Sequence, residues 1–185
     1  HRAKIISIAR LTYNKVDEIY SSKIKANKFY FIISNLFQSY EILKRLSERR
    51  NKINFITDEF EIVGKINENF FLKKKKRLES YRLIEEFMVL ANENVAKFLK
   101  NNKLNSIYRN HERPNNEKIK ELKKLLKENN IYNEEEFKNQ KDFNNTLKFI
   151  KKNNFFLNEA LLRTQSKAYY SNKNYGHFGL GLDYY

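Results

Sequence analysis

Cysteine is missing from all 185 residues. That excludes a disulfide scaffold, a zinc–thiolate site and a cysteine nucleophile. Glycine occurs 4 times and proline once, which excludes collagen-like and low-complexity classes. No apolar run approaches the roughly 20 residues that span a bilayer, and the first residues do not form a secretory signal, so no membrane partner is expected. Aspartate stands only at Asp17, Asp58, Asp142 and Asp183, far apart, and His1, His111 and His177 are isolated. No His pair has metal-ligand spacing. Glu134-Glu135-Glu136 reads as a helix start, where carboxylates favour the dipole. P-loop, GxGxxG and GxSxG motifs are absent. The residues alone therefore describe a chain with no self-contained active site, with neither catalytic nor metal-binding residues expected in it.

What is present is basic and aromatic. Lys and Arg number 37 against 22 Asp and Glu, a formal charge of +15. With 41% hydrophobic residues, 15 Phe and 12 Tyr, the chain has enough large apolar groups to pack a core. A basic surface binds phosphates through counterion release. The abundance of Lys, Asn and Ile also follows from A/T-rich codons, so charge by itself is a weaker pointer to nucleic acid than its size suggests. Phe55, Phe70, Phe71, Tyr81, Tyr108, Tyr169, Tyr170, Tyr175 and Phe178 sit near Lys or Arg. Aromatic faces with cations along the backbone are how single strands are held, although most such residues are equally suited to a core.

Along the chain, residues 4–11 read as a short strand. Thr12 then caps a helix from Tyr13 to about Tyr20. A longer helix is predicted over 29–49 from the spacing of Phe31, Ile32, Leu36, Tyr40, Ile42, Leu43 and Leu46. Strand-like alternation runs from Ile53 through Phe55, Phe60 and Ile62 to Leu72, with turns near Thr57-Asp58 and Lys65–Glu68. Lys73–Arg77 is a cationic run suited to a solvated strand end or to phosphate. The clearest element is an amphipathic helix over about 79–100. Leu83, Ile84, Phe87, Met88, Ala91, Val95, Phe98 and Leu99 form its apolar side; Arg82, Glu85, Glu86, Asn92 and Glu93 form its polar side. A strand over 106–110, a helix from Asn115, short helices over 134–138 and 142–152, a helix over 157–168 and an aromatic loop over 169–185 complete the reading. The chain opens inside an apparent strand and stops at Tyr185 without a tail, as expected of a piece of a longer protein.

Three stretches carry a resemblance. Ala9-Arg10-Leu11-Thr12-Tyr13 is the first. Arg82-Leu83-Ile84-Glu85-Glu86-Phe87-Met88-Val89-Leu90-Ala91-Asn92, followed by Ile107–Pro114 with its His111-Glu112-Arg113-Pro114 loop, is the second. Leu161–Ala168 and Gly176-His177-Phe178-Gly179-Leu180 form the third. In order and spacing they resemble the catalytic domain of the RNB-type 3′-to-5′ exoribonucleases, the family of ribonuclease II and ribonuclease R, and more closely the ribonuclease R branch. The similarity runs through essentially the whole chain.

The resemblance implies a mixed α/β, helix-dominated fold, with residues 1–185 as the central portion of an RNB-type catalytic domain whose remaining parts lie on either side. It implies a processive, Mg²⁺-dependent enzyme that hydrolyses RNA from its 3′ end to nucleoside 5′-monophosphates. Its partners are single-stranded RNA 3′ ends, and a monomeric, cytoplasmic protein is expected. The family's aspartate-rich metal motif would precede this chain and its arginine motif would follow Tyr185, so this piece alone is expected to be inactive. Phe55 matches a phenylalanine that stacks on the terminal bases, and Glu85 matches a channel glutamate that meets the ribose. Arg82, one turn earlier, would orient Glu85 or reach a phosphate. His111 and His177 match recurrent family positions and suit buried hydrogen bonding. The alternative is a non-catalytic basic RNA-binding protein on the same scaffold.

Overall fold

The computed structural model describes residues 3–4, 6–55, 60–64, 70–75, 77–131, 137–153 and 156–185. It is a mixed α/β fold dominated by helices. The helices are α1 (Tyr13–Ser22), α2 (Tyr30–Arg49), α3 (Glu79–Asn101), α4 (Asn116–Glu128), α5 (Gln140–Asn153) and α6 (Phe156–Arg163). The strands are β1 (Phe60–Val63), β2 (Phe71–Lys74), β3 (Tyr108–Asn110) and β4 (Tyr169–Ser171). Each sheet is an antiparallel pair, β1 with β2 and β3 with β4. The chain divides into two compact units: one holds His1–Lys44 and Glu59–Met88, the other Arg45–Asp58 and Val89–Tyr185.

In the first unit, Thr12 caps α1 as its hydroxyl accepts from the Lys15 N–H at 3.3 Å. Helix α2 buries Ile33, Phe37 and Tyr40, which recur at helical spacing on one stripe and meet Ile19 and Leu83. Tyr20 stacks on Phe37 with ring centroids 3.8 Å apart. Burial of each such side chain contributes roughly 1.5–3 kcal/mol. The β1–β2 hairpin pairs Phe60 with Lys74 and Val63 with Phe71.

The core of the second unit gathers Leu122 and Leu126 of α4, Phe143, Leu147 and Ile150 of α5, Leu157 and Leu161 of α6, and Ile53 and Phe178 from connecting segments. Asn115 caps α4 by accepting from Lys118 N–H at 2.8 Å. Asn139 and Asp142 form a reciprocal cap on α5. The Asp142 N–H donates to Asn139 Oδ1 at 3.1 Å, and the Asp142 carboxylate accepts from the Asn139 N–H. Glycine is scarce, so α2, α3 and α4 end without it. In each, two backbone bonds close a Schellman turn around a left-handed residue: Asn51, Lys103 and Asn130.

Several expectations are corrected. Among the described residues of 4–11 there is no strand, and Ile6 and Ile8 are exposed, because no neighbouring strand completes a ladder there. Residues 53–55 form no strand. The Ile53 N–H donates to the Gly179 carbonyl and the Asn54 N–H to the Asn144 side chain. The turns near 57–58 and 65–68, and most of 134–138, lie outside the described residues; Phe137 and Lys138 are not helical. Helix α6 stops at Arg163, where the Thr164 hydroxyl turns back onto the Leu161 carbonyl. Segment 169–185 is not only loop, since Tyr169–Ser171 pairs with β3 and Phe178–Leu180 makes a 3-10 turn. On α3, Glu86 is buried although it was placed on the polar side, while Ile84, Met88, Val95 and Phe98 are exposed. Ser80, Leu83, Glu86, Val89 and Ala96 are the buried positions of α3, a stripe rotated from the apolar arc.

Candidate functional site

The start of α3 holds two of the three residues singled out by sequence. Its first turn is capped from outside: Asp17 of α1 accepts from the Ser80 N–H at 2.9 Å and the Glu79 N–H at 3.2 Å. The buried Ser80 hydroxyl donates to the Tyr13 carbonyl at 3.1 Å. Glu79 is held twice more, by the Tyr40 hydroxyl at 3.1 Å and by Arg82 Nη1 at 2.9 Å. Burial, then the neighbouring Glu79 charge, pushes the Tyr40 hydroxyl far above its ordinary range, so it stays protonated and donates. Glu85 accepts from Arg77 Nη2 at 2.9 Å. Arg82 and Glu85 thus lie one turn apart, both half-exposed, each ion-paired with a different neighbour. The result is a short row of charges at the surface, with donors for phosphate and a carboxylate able to accept from a hydroxyl.

Phe55 belongs to the second unit. It is half-buried and packs against that unit's core alongside Ile119, Leu125 and Ala160. The other interleaved aromatics separate into two groups. Tyr108 and Phe178 are core, whereas Phe70, Phe71, Tyr170 and Tyr175 are exposed, with the Arg109 guanidinium 6.0 Å from the Tyr170 ring centre.

A cleft of about 570 Å³ in the second unit is lined by Arg50, Arg113, Gln140, Tyr175 and both His111 and His177. The two histidines are structural acceptors. His111 Nδ1 accepts from the Gly179 N–H at 2.8 Å and His177 Nδ1 from the Leu180 N–H at 3.2 Å, with the rings 5.0 Å apart. A side chain at Gly179 would press on the His111 ring, since a Cβ there would lie 3.1 Å from it. Burial, then the charges of His111 and Arg109, pulls His177 down to about 4. Burial also lowers His111, while a hydrogen bond at the Ser166 backbone acts the other way. Asn110 is fully buried beside them, donating to the Lys173 carbonyl at 2.8 Å and accepting from the Tyr175 N–H at 2.7 Å. The sequence offered no signal for this residue. Glu112 accepts from the Tyr169 hydroxyl and raises it to about 12.

Among the described residues no group of three or more His, Asp or Glu side chains could hold a metal ion. Asp17 and Asp142 are helix caps, and Asp58 lies outside the described residues. The described residues do not fit a magnesium site. No helix among the described residues is long and apolar enough to cross a membrane.

Comparison with known proteins gives a consistent picture. A family model described as "RNB domain" matches residues 1–185. The chain is 36% identical over 182 residues to ribonuclease R of Mycoplasmopsis pulmonis, covering 95% of this chain and 25% of that protein. It is 31% identical over 195 residues to ribonuclease R of Buchnera aphidicola, covering 100% of this chain and 27% of that one. Its fold matches Mycoplasma genitalium RNase R in complex with ribose-methylated single-stranded RNA, with a TM-score of 0.81 and 27% identity over 94% of this chain and 28% of that one. The chain spans about a quarter of the length of the relatives it matches.

Proposed function

The chain belongs to the RNB family, on its ribonuclease R side, and we propose that the protein carrying it degrades single-stranded RNA from the 3′ end to nucleoside 5′-monophosphates. In this reading residues 1–185 are part of the catalytic domain and line the RNA channel. Magnesium and its carboxylate ligands belong to other parts of the protein, which is monomeric and cytoplasmic.

The observation that carries this reading is the capped, ion-paired row at the start of α3. Asp17 and Tyr40 fix Glu79, Ser80 ties the turn to Asp17 and Tyr13, and Arg82 and Glu85 are presented at the surface rather than absorbed by the core. Arg82 is suited to a phosphate oxygen and the Glu85 carboxylate to a ribose 2′-hydroxyl, a group that DNA lacks. Phe55 supplies a half-exposed aromatic surface on which a base can stack.

The test is a degradation assay with 5′-labelled oligo(A) and Mg²⁺. The complete protein is expected to release nucleoside 5′-monophosphates and leave a short end product, and the 185-residue chain to release nothing. Release by this chain alone would overturn the placement of the metal ligands elsewhere. RNA binding without degradation by the complete protein would replace the enzyme with a non-catalytic RNA-binding protein.

A further inference from the structure

We infer that Asn144 is a positioning residue for Phe55, setting where the 3′-terminal bases come to rest; this deepens, and rests on, the stacking role given to Phe55 above.

The argument starts at the end of α2. The Asn51 N–H bonds to the Glu48 carbonyl at 2.9 Å and the Lys52 N–H to the Ser47 carbonyl at 3.0 Å, with Asn51 at φ 55°. That turn ends the helix, and residues 52–55 follow in neither helix nor strand. Backbone outside helix and sheet must find its hydrogen-bond partners elsewhere. One side-chain amide supplies three of them. Asn144 Nδ2 donates to the Asn51 carbonyl at 3.1 Å and the Lys52 carbonyl at 3.2 Å. Its Oδ1 accepts from the Asn54 N–H at 3.3 Å. Between these contacts the Ile53 N–H donates to the Gly179 carbonyl at 2.8 Å, and the Ile53 side chain is buried in the core. The bonds run up to the residue immediately before Phe55.

Asn144 is itself well held. Its neighbour Phe143 is fully buried, Leu147 is in the same core, and α5 carries the Asn139–Asp142 cap. One turn earlier, Gln140 Nε2 donates to the Phe178 carbonyl at 3.1 Å. Only an amide offers a donor and an acceptor in one short plane. Aspartate keeps the size and the acceptor but loses the donor, and alanine loses both. An aromatic platform helps a stacked base only if it stays put. Freeing residues 51–54 therefore loosens Phe55 without touching RNA.

The experiment uses the complete enzyme and compares Phe55→Ala, Asn144→Ala, Asn144→Asp and the Phe55→Ala/Asn144→Ala double variant. It reads end-product length on oligo(A) and affinity for a short 3′ end. Phe55→Ala should lengthen the end product and weaken the short-RNA complex about tenfold, the lower part of the range for one stacked base. Asn144→Ala should shift both readouts in the same direction, about three- to fivefold in affinity, and Asn144→Asp should do so with the side-chain volume retained. The double variant should match Phe55→Ala alone, because Asn144 acts only through Phe55. If Phe55→Ala lengthens the product but the Asn144 variants keep the parental length, or the double variant is additive, the inference is wrong and the Phe55 reading stands. If Phe55→Ala changes nothing, the stacking role fails and the inference fails with it. Should Asn144→Ala not fold, Asn144→Asp decides the matter.

Discussion

The carboxylate of Asp17 reaches 63 positions along the chain to accept the backbone N–H of Ser80 at 2.9 Å, closing the first turn of α3 from another helix. A cap supplied by a distant side chain makes the orientation of Arg82 and Glu85 depend on α1. Asp17→Ala should lower stability by about 1–2 kcal/mol, the range for losing an N-cap acceptor. Asp17→Asn should lose less, since the amide oxygen still accepts. Denaturant titration of the complete protein decides this, and parental stability for Asp17→Ala would remove the cap from the account.

Gly181 packs its turn onto the end of α2. It has φ +63°, and a Cβ placed there would sit 2.5 Å from the Arg50 carbonyl oxygen. Gly181→Ala combines a left-handed backbone with a backbone clash, so a loss of at least about 2 kcal/mol is expected. A melting temperature unchanged from the parent would refute the contact.

The histidine pair sets an acid limit. His177 is lowered to about 4 in the fold from the ordinary 6.5. The unfolded chain therefore binds more protons than the folded one between these values. Its contribution is intact above about pH 6.5 and is lost progressively as the pH falls towards 4. For a fully buried ring a fall from 6.5 to about 4 would correspond to roughly 3 kcal/mol, and partial exposure of His177 reduces this to about 1–2 kcal/mol. His177→Asn, which keeps an acceptor but cannot charge, should flatten the fall in melting temperature over that interval. An identical slope in parent and variant would assign the acid response to other groups.

Glu85 provides the test of sugar selection. Arg77 holds it at the surface of α3. Glu85→Ala in an inactivated complete protein should weaken RNA binding by about 1.5–3 kcal/mol, the value of a hydrogen bond to a charged acceptor. DNA binding should stay level or improve, because a negative charge near the phosphates is gone. Paired titrations with matched RNA and DNA at fixed salt measure it. Equal losses on both would make Glu85 part of the channel wall and no reader of ribose.

The parts legible in the sequence are those whose cause is local. Thr12 and Asn115 each cap the helix that follows by accepting the N–H three residues ahead, and Ile33, Phe37 and Tyr40 share a stripe by spacing alone. What escaped depends on contacts between distant segments. Glu86 is buried although its neighbours in sequence are charged or apolar without distinction. Tyr169–Ser171 is a strand only because Tyr108–Asn110 lies beside it. Ile53–Phe55 carries strand-like alternation, yet Asn144 and Gly179 take its hydrogen bonds in place of a neighbouring strand. At the candidate site, the family resemblance pointed to Arg82, Glu85 and Phe55. Nothing local announced Asp17, Tyr40 or Asn144 as the groups that hold their surroundings.

Helices α1 to α4 each finish on a left-handed residue that is not glycine: Lys23, Asn51, Lys103 and Asn130. Each carries torsional strain that glycine would not, on the order of 1 kcal/mol and least at asparagine. Strain of that kind uses part of the margin that would otherwise absorb harmful substitutions.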